Sequence, residues 1–445
     1  MHMTHGRSQI PTLCIGYEGE NLRALRARFD VRCAIAADPS AEVNWHQLHE
    51  LKLPHGAPQM TAELQRCFDE LKQHYLQFND INSRRHYYVP GRESESYNGF
   101  VLTFYAVYKL LKQNEIHLLL HANIPHEGFD FILYQLARVL GIKTVLCYQS
   151  LFSNRFWITQ TLEDFGRHGQ NSALFVLENS GYTLPKTWFY MQGSDKDAAY
   201  SLKAAALEIL RAPHRLPLAL VRYAYAWQFR RQIAACTQPC APGESYIYFP
   251  LHLQPELTTS ALGGAFSDQM LAIEMLSSWL PKGYFIYLKE NPKQTEKQRG
   301  PLFYKRLAAL KNVRLLSRTE NSIALIKNSI GVATVTGTAG WEALFHGKPV
   351  LVFGLAWYRD FSGVTEFRAD LNFSTFESSP PPPPERLVEE LDLALQSAGK
   401  GVTDAAYKGL VPNFSDAVNG ELVADSIARY VAQDRVHGIR GHHVK

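Results

Sequence analysis

Four short segments of the 445-residue chain carry side chains suited to binding anions or moving protons. The first is Thr336-Gly337-Thr338-Ala339-Gly340-Trp341-Glu342-Ala343, with Gly347-Lys348-Pro349 just beyond it. It follows an apolar run and opens a helical pattern. Gly337 and Gly340 would let main-chain amides approach a ligand closely, and a helix N-terminus adds partial positive charge. Thr336 and Thr338 supply hydroxyls, and Glu342, one turn in, can accept from a sugar diol. Amides for a phosphate and a carboxylate for hydroxyls are what a ribose-bearing anion needs. An N-capped helix with small residues for tight packing would read the same way, and the pattern alone does not choose.

The second segment is Phe249-Pro250-Leu251-His252-Leu253-Gln254-Pro255-Glu256. His252 could donate to a phosphate or a sugar carboxylate, and Gln254 and Glu256 could orient hydroxyls. The third is Lys289-Glu290-Asn291-Pro292, where Lys289 is a point charge for a phosphate and Asn291 can read a base or ribose edge. Lys293, Lys297 and Arg299 beside it read as solvent-facing charge. The fourth is Asn123-Ile124-Pro125-His126-Glu127-Gly128-Phe129-Asp130. There Glu127 or Asp130 could be a general base or a carboxylate nucleophile, with helix capping as the plainer alternative.

These segments lie between alternating strand and helix signals. TLCIG (12–16), Val31–Ala36, HLLLHA (117–122) and Lys143–Tyr148 read as strands with helices between them. After a helical stretch over 197–235 and a linker, CTQPCAPG (236–243), the alternation restarts with SYIYFPL, YFIYLKE, VRLLS, GVATVT and KPVLVFG. The expected fold is therefore α/β, with two Rossmann-like domains facing across a cleft. The expected division is 1–240, 241–415, and a C-terminal helix and tail, 416–445, packing back on the first domain. Five prolines from Pro380 to Pro384 read as a polyproline spacer.

Composition excludes several classes. At 46% hydrophobic and 20% charged the chain can build sizeable cores, and a net charge of +4 is too small for bulk nucleic-acid binding. No run of about 18 apolar residues suggests a membrane span, and the N-terminus lacks a secretory h-region, so a cytoplasmic location is expected. Six cysteines make no disulfide framework, and Cys236 and Cys240 lack a second ligand pair, so no metal is expected. His46 and His49 read as exposed. Arg211, Arg215, Arg222, Tyr223, Tyr225, Trp227, Arg230 and Arg231 fit either a peripheral inner-membrane contact or a linker helix with exposed arginines.

The motifs FPLHLQPELTTS, YLKENP and TGTAGWEALFHGKPVLVFGLAWY resemble the capsule polysaccharide biosynthesis protein family, which includes bacterial Kdo transferases of capsule and O-antigen synthesis. The likeness covers mainly 245–360, with a weaker match at PHEGFDFILYQLARVLGIKT. It implies a GT-B glycosyltransferase with a nucleotide sugar in the C-terminal domain and a glycan or glycolipid acceptor against the N-terminal one. In the Kdo members the donor is CMP-Kdo and the anomeric outcome is retention. The family often has Lys-Glu-His-Pro where this chain has Lys289-Glu290-Asn291-Pro292. On this reading the nucleotide sugar is a substrate, no cofactor or metal is needed, and Glu127, Asp130 and His252 are the catalytic candidates. Gln254, Glu256, Lys289, Asn291, Thr336, Gly337, Thr338, Ala339, Gly340 and Glu342 are the binding candidates. A nucleotide-sugar epimerase or hydrolase, and a non-catalytic nucleotide-sugar-binding component of a capsule assembly complex, are the alternatives.

Overall fold

The computed structural model describes residues 8–51, 58–83, 93–168, 173–175, 182–185, 201–254, 256–296, 299–379 and 381–438. The chain divides into two compact units, Met1–Ser180 with Leu391–Lys445, and Gly181–Glu390.

The first unit is built on a seven-stranded sheet. Its strands are β1 (Ser8–Ile15), β2 (Phe29–Ala36), β3 (Val43–Asn44), β4 (Leu118–His121), β5 (Lys143–Gln149) and β6 (Arg155–Thr159), with β13 (Gly399–Lys400) from the far end of the chain. The spatial order is β13-β6-β5-β4-β1-β2-β3. The five strands β1 to β5 run parallel, and β6 and β13 add antiparallel partners at one edge. Leu118, Leu119 and Leu120 are wholly buried, as expected for a strand covered on both faces. The helix Asp416–Gly438 lies on the helix Gly19–Arg28, burying Val423, Ala424, Ile427 and Val431 in the same core as Leu22 and Leu25. Arg28 and Glu421 pair across the two helices at 2.7 Å.

The second unit holds β7 (Ser245–Pro250), β8 (Tyr284–Lys289), β9 (Val313–Leu316), β10 (Gly331–Thr334), β11 (Val350–Val352) and β12 (Val364–Glu366), ordered β12-β11-β10-β7-β8-β9. All five pairings are parallel. Numbered from β7, that order is the 3-2-1-4-5-6 winding of a Rossmann fold, and its direction reverses between β7 and β10. The same reversal falls between β1 and β4 in the first unit. The fold class is thus α/β with two Rossmann-like units.

The division differs from the expected one at both crossings. The helical stretch holds two helices, Leu202–Arg211 and Leu216–Cys236, and the second buries Ala226 and Phe229 in the core of the second unit. The Gln238 amide then bonds to Leu315 of β9 at 2.8 Å, so the Pro/Gly linker is stitched to that sheet and separates nothing. At the other crossing Gly399 and Lys400 pair with Phe156 and Arg155 of β6, which returns the chain to the first unit well before residue 415.

Candidate functional site

In a doubly wound sheet, ligands bind outside the carboxyl ends of the strands where the winding reverses. In the second unit two loops meet there: 251–254 after β7 and 335–337 after β10. They are joined by a relay of hydrogen bonds. The Gly337 amide donates to Thr334 Oγ1 at 3.0 Å, and that oxygen lies 2.8 Å from His252 Nε2. The Thr336 amide donates to the same nitrogen at 3.4 Å. Nε2 is therefore an acceptor, the Thr334 hydroxyl proton points at it, and the ring proton sits on Nδ1. That atom makes no hydrogen bond among the described residues.

The helix Thr338–Phe345 starts from this junction, with Gly337 as its N-cap and Gly337, Thr338 and Ala339 half-buried at its tip. Of the two readings that the sequence leaves open for the glycines, their surroundings fit tight packing. The amides of Gly337 and Gly340 are occupied, by Thr334 Oγ1 and by the Gly337 carbonyl at 3.1 Å. A β-carbon on Gly337 would lie 2.8 Å from Thr334 Oγ1 and 3.1 Å from His252 Nε2, and one on Gly340 would run into the Tyr358 hydroxyl. Both are small because side chains press on them. The half-buried N-terminal residues beyond the cap are Thr338 and Ala339, and their end of the helix carries the positive pole of its dipole. Glu342 is half-buried on the same helix; burial raises the hydroxyl pKa of both Tyr182 and Tyr248, and the Glu342 charge adds to the rise.

Several other candidates are committed to the scaffold. Gln254 is buried; its side-chain oxygen accepts from Arg299 at 2.6 Å and its side-chain nitrogen donates to the Ser267 carbonyl. Both ends of its side-chain amide hold the loop in place. Lys289 donates to the Glu320 carbonyl at 2.6 Å and to Ser322 Oγ at 2.8 Å, and burial pulls its ammonium below the usual lysine range. Two of its three protons thus tie β8 to the start of the helix Ser322–Asn328. Asn291 closes a local turn, its side-chain oxygen accepting from the Lys293 amide at 2.9 Å. Glu256 is exposed at the head of the short helix Leu257–Ser260.

Arg299, read from sequence as solvent-facing, is the centre of this scaffold. It is 1% exposed. Its Nε meets Glu290 at 3.1 Å, one terminal nitrogen meets Gln254, and the other donates to the His252 carbonyl at 3.0 Å. Phe303 stacks beneath the guanidinium at 4.7 Å. No local signal marks it, since two positions away Lys297 carries the same charge in the same polar run.

In the first unit the corresponding reversal is flanked by the loop after β4. Asp130, at the start of the helix Phe129–Val139, is buried and accepts from the amides of Glu127 at 2.7 Å and His126 at 3.0 Å. His121 Nε2 approaches it at 3.2 Å, while the Asn123 amide donates to His121 Nδ1 at 3.2 Å. Burial alone would raise the Asp130 pKa, but these donors and the histidine charges bring it down to about 2. Asp130 thus clasps the loop. Glu127 is different. It is half-buried, with His49 Nε2 at 3.4 Å and His126 Nε2 at 3.5 Å from its two oxygens. His126 Nδ1 contacts the Ile124 carbonyl at 2.5 Å, which leaves Nε2 as the ring nitrogen on the side of Glu127. His49, expected on the surface, stands edge-on to Phe129 at 4.9 Å and completes this trio. Gly128 next to it has φ +80°, and a β-carbon there would strike the Asn82 side chain. Among the described residues no group of three or more ligating side chains could hold a metal ion.

Residues 214–391 match the profile of the family described as capsule polysaccharide biosynthesis protein. That segment is about two fifths of the chain. A curated relative, the capsule polysaccharide modification protein LipA of Neisseria meningitidis serogroup B, is 44% identical over 62 residues, which are 14% of this chain and 9% of that protein. The chain thus spans a small part of that relative's length. Among solved structures, the β-Kdo 2,7 transferase of Thermosulfurimonas dismutans KpsC aligns at 14% identity over 74% of this chain and 89% of that one, with a TM-score of 0.34. The UDP-GlcNAc 2-epimerase of Neisseria meningitidis aligns at 12% identity over 95% and 99%, with a TM-score of 0.25.

The capsule-family segment takes in His252, Lys289, Arg299 and the Thr338 helix, and Glu127 lies outside it. One property of the family segment can be checked directly. Burial, helped by the nearby Arg299 charge, lowers the His252 pKa from 6.5 to about 3. Between those values the unfolded chain binds more protons than the folded one. The stability contributed by the neutral ring is therefore complete above about pH 6.5 and is lost as pH falls towards 3. Asp130 adds a second loss only below its ordinary value of 3.8. Thermal melting at pH 7 and pH 4.5 should show a larger drop for the native chain than for His252→Asn, by about 5 °C. Equal drops would mean that the ring titrates normally.

Proposed function

We propose that the chain is a glycosyltransferase of bacterial surface-polysaccharide synthesis, using a nucleotide-linked sugar. The observation that carries this reading is the position of the Thr338 helix tip. It opens at the winding reversal of a Rossmann-like unit, within a capsule-family segment. On this proposal the main-chain amides of Thr338 and Ala339 at the half-buried helix tip and the His252 Nδ1 proton hold the phosphate of the leaving nucleotide. Glu342 holds the ribose. Donors fixed before the reaction stabilise the charge that grows on the leaving group, which lowers the barrier without reorganisation at the moment of transfer. No metal ion is invoked. Glu127, with His49 and His126 to exchange its proton, takes the proton of the acceptor hydroxyl or attacks the anomeric carbon.

The motifs of 249–358 are those whose resemblance implies a CMP-linked acidic sugar such as Kdo, transferred with retention, and we adopt that donor. The acceptor is the growing glycan or its lipid-linked precursor, and the reaction would take place on the cytoplasmic side of the membrane. Calorimetric titration of the full chain with free nucleotides tests the reading. Saturable binding of CMP is expected, and no binding of any nucleotide would refute it.

A further inference from the structure

The helices Leu202–Arg211 and Leu216–Cys236 form a hairpin whose outer surface is unlike the rest of the molecule. The second helix turns Ala219, Ala226 and Phe229 inward, and Phe229 is covered by Tyr304 and by the Arg318 guanidinium. Much of its remaining surface is apolar and open. Leu216, Leu220 and Trp227 fall on one stripe at helical spacing, at 44, 57 and 51% exposure; Leu218, Val221 and Tyr225 form another, at 46, 51 and 42%. Leu207 and Leu210 of the first helix are exposed at 43 and 78%. Eight large apolar side chains thus stand uncovered, among the described residues, over about twenty positions. Such a concentration on a folded surface marks a site of contact.

Charge identifies what is contacted. Between Leu202 and Cys236 there are six lysines and arginines and one acidic residue, a surplus of five where the whole chain has four. The one acid, Glu208, is bound to Arg222 at 2.8 Å. Arg231 lies over the Trp227 ring at 5.4 Å, a cation beside an aromatic ring as at a headgroup boundary. Among the described residues no helix is long and apolar enough to cross a membrane. We infer that this hairpin lies on an anionic lipid surface, its leucines and Trp227 entering the acyl boundary and its arginines among the headgroups. A protein partner would match the leucines but would need a strongly acidic rim.

The test is co-sedimentation of the full chain with phosphatidylcholine vesicles, with and without about 30% phosphatidylglycerol. Binding is expected on the anionic vesicles alone, and loss of it in about half-molar salt. The double variant Leu218→Asp, Leu220→Asp should cut the bound fraction about tenfold with an unchanged melting curve, because both side chains are exposed. Binding equal on neutral vesicles, or equal in the variant, would overturn the inference. So would a native chain that ignores vesicles but self-associates in sedimentation, with the variant monomeric, since the patch would then join two copies. Neither result bears on nucleotide binding, which rests on other residues.

Discussion

Replacing Glu127 by Gln is expected to slow sugar transfer by about two to four orders of magnitude, the range that a positioned general acid or base contributes. The substitution keeps the shape and removes only the ability to carry a negative charge or accept a proton. Glu127 is half-buried, so its carboxyl is accessible, and two imidazole nitrogens approach its oxygens at 3.4 and 3.5 Å. Asp130, its neighbour in sequence, fills its own acceptor sites with two amides and His121. The check is release of nucleotide from the donor sugar with acceptor present, together with a melting curve to show that the variant folds. Full activity in Glu127→Gln would remove the residue from the mechanism. Equal turnover of the native chain without acceptor would point to hydrolysis or epimerisation and away from transfer.

The largest effect on stability is expected at Arg299. Glu290 and Arg299 are 1% exposed each, and the arginine also supplies protons to Gln254 and to the His252 carbonyl. Arg299→Met would leave a carboxylate buried without its partner, which costs about 3–5 kcal/mol. Replacing both residues with Met should recover much of that, because a buried pair roughly balances its own desolvation. Urea unfolding of the native chain and the two variants measures both quantities. A loss below about 1 kcal/mol in Arg299→Met would mean that the pair does not hold the site together.

Much of the architecture is legible in the residues. The β4 and β7 strands read directly from apolar runs closed by turn signals, and the restart of alternation after residue 243 marks a second sheet. The winding order is not legible, because parallel pairing is settled by which faces bury together and leaves no local trace. The short strands β3, β12 and β13 are two or three residues each and carry no periodicity. The boundary at 240 misleads because Pro and Gly suggest a linker, while packing of Phe229 and the bond from Gln238 to Leu315 hold that stretch to the second unit.

At the candidate site, sequence locates the loops better than the roles within them. The Thr338 helix and His252 meet at one winding reversal. Yet the glycines serve packing, Gln254 and Lys289 serve the scaffold, and Asp130 is a clasp. A side chain's partners depend on residues far away in the chain: Lys289 is occupied by a helix cap more than thirty positions on, and His252 by Thr334 at a separation of 82. His49 joins Glu127 from a different element of the sheet edge, which no spacing rule could show.

Calorimetric titration of the full chain with CMP, UDP and GDP, repeated on Gly337→Ala, bears most directly on nucleotide capture by the Thr338 helix. The added methyl carbon would press on Thr334 Oγ1 and the His252 ring at 2.8 and 3.1 Å, displacing the turn that aims the amides. One saturable site for CMP is expected, weakened about tenfold or more in the variant. No heat with any of the three nucleotides, or the same affinity in Gly337→Ala, would contradict it.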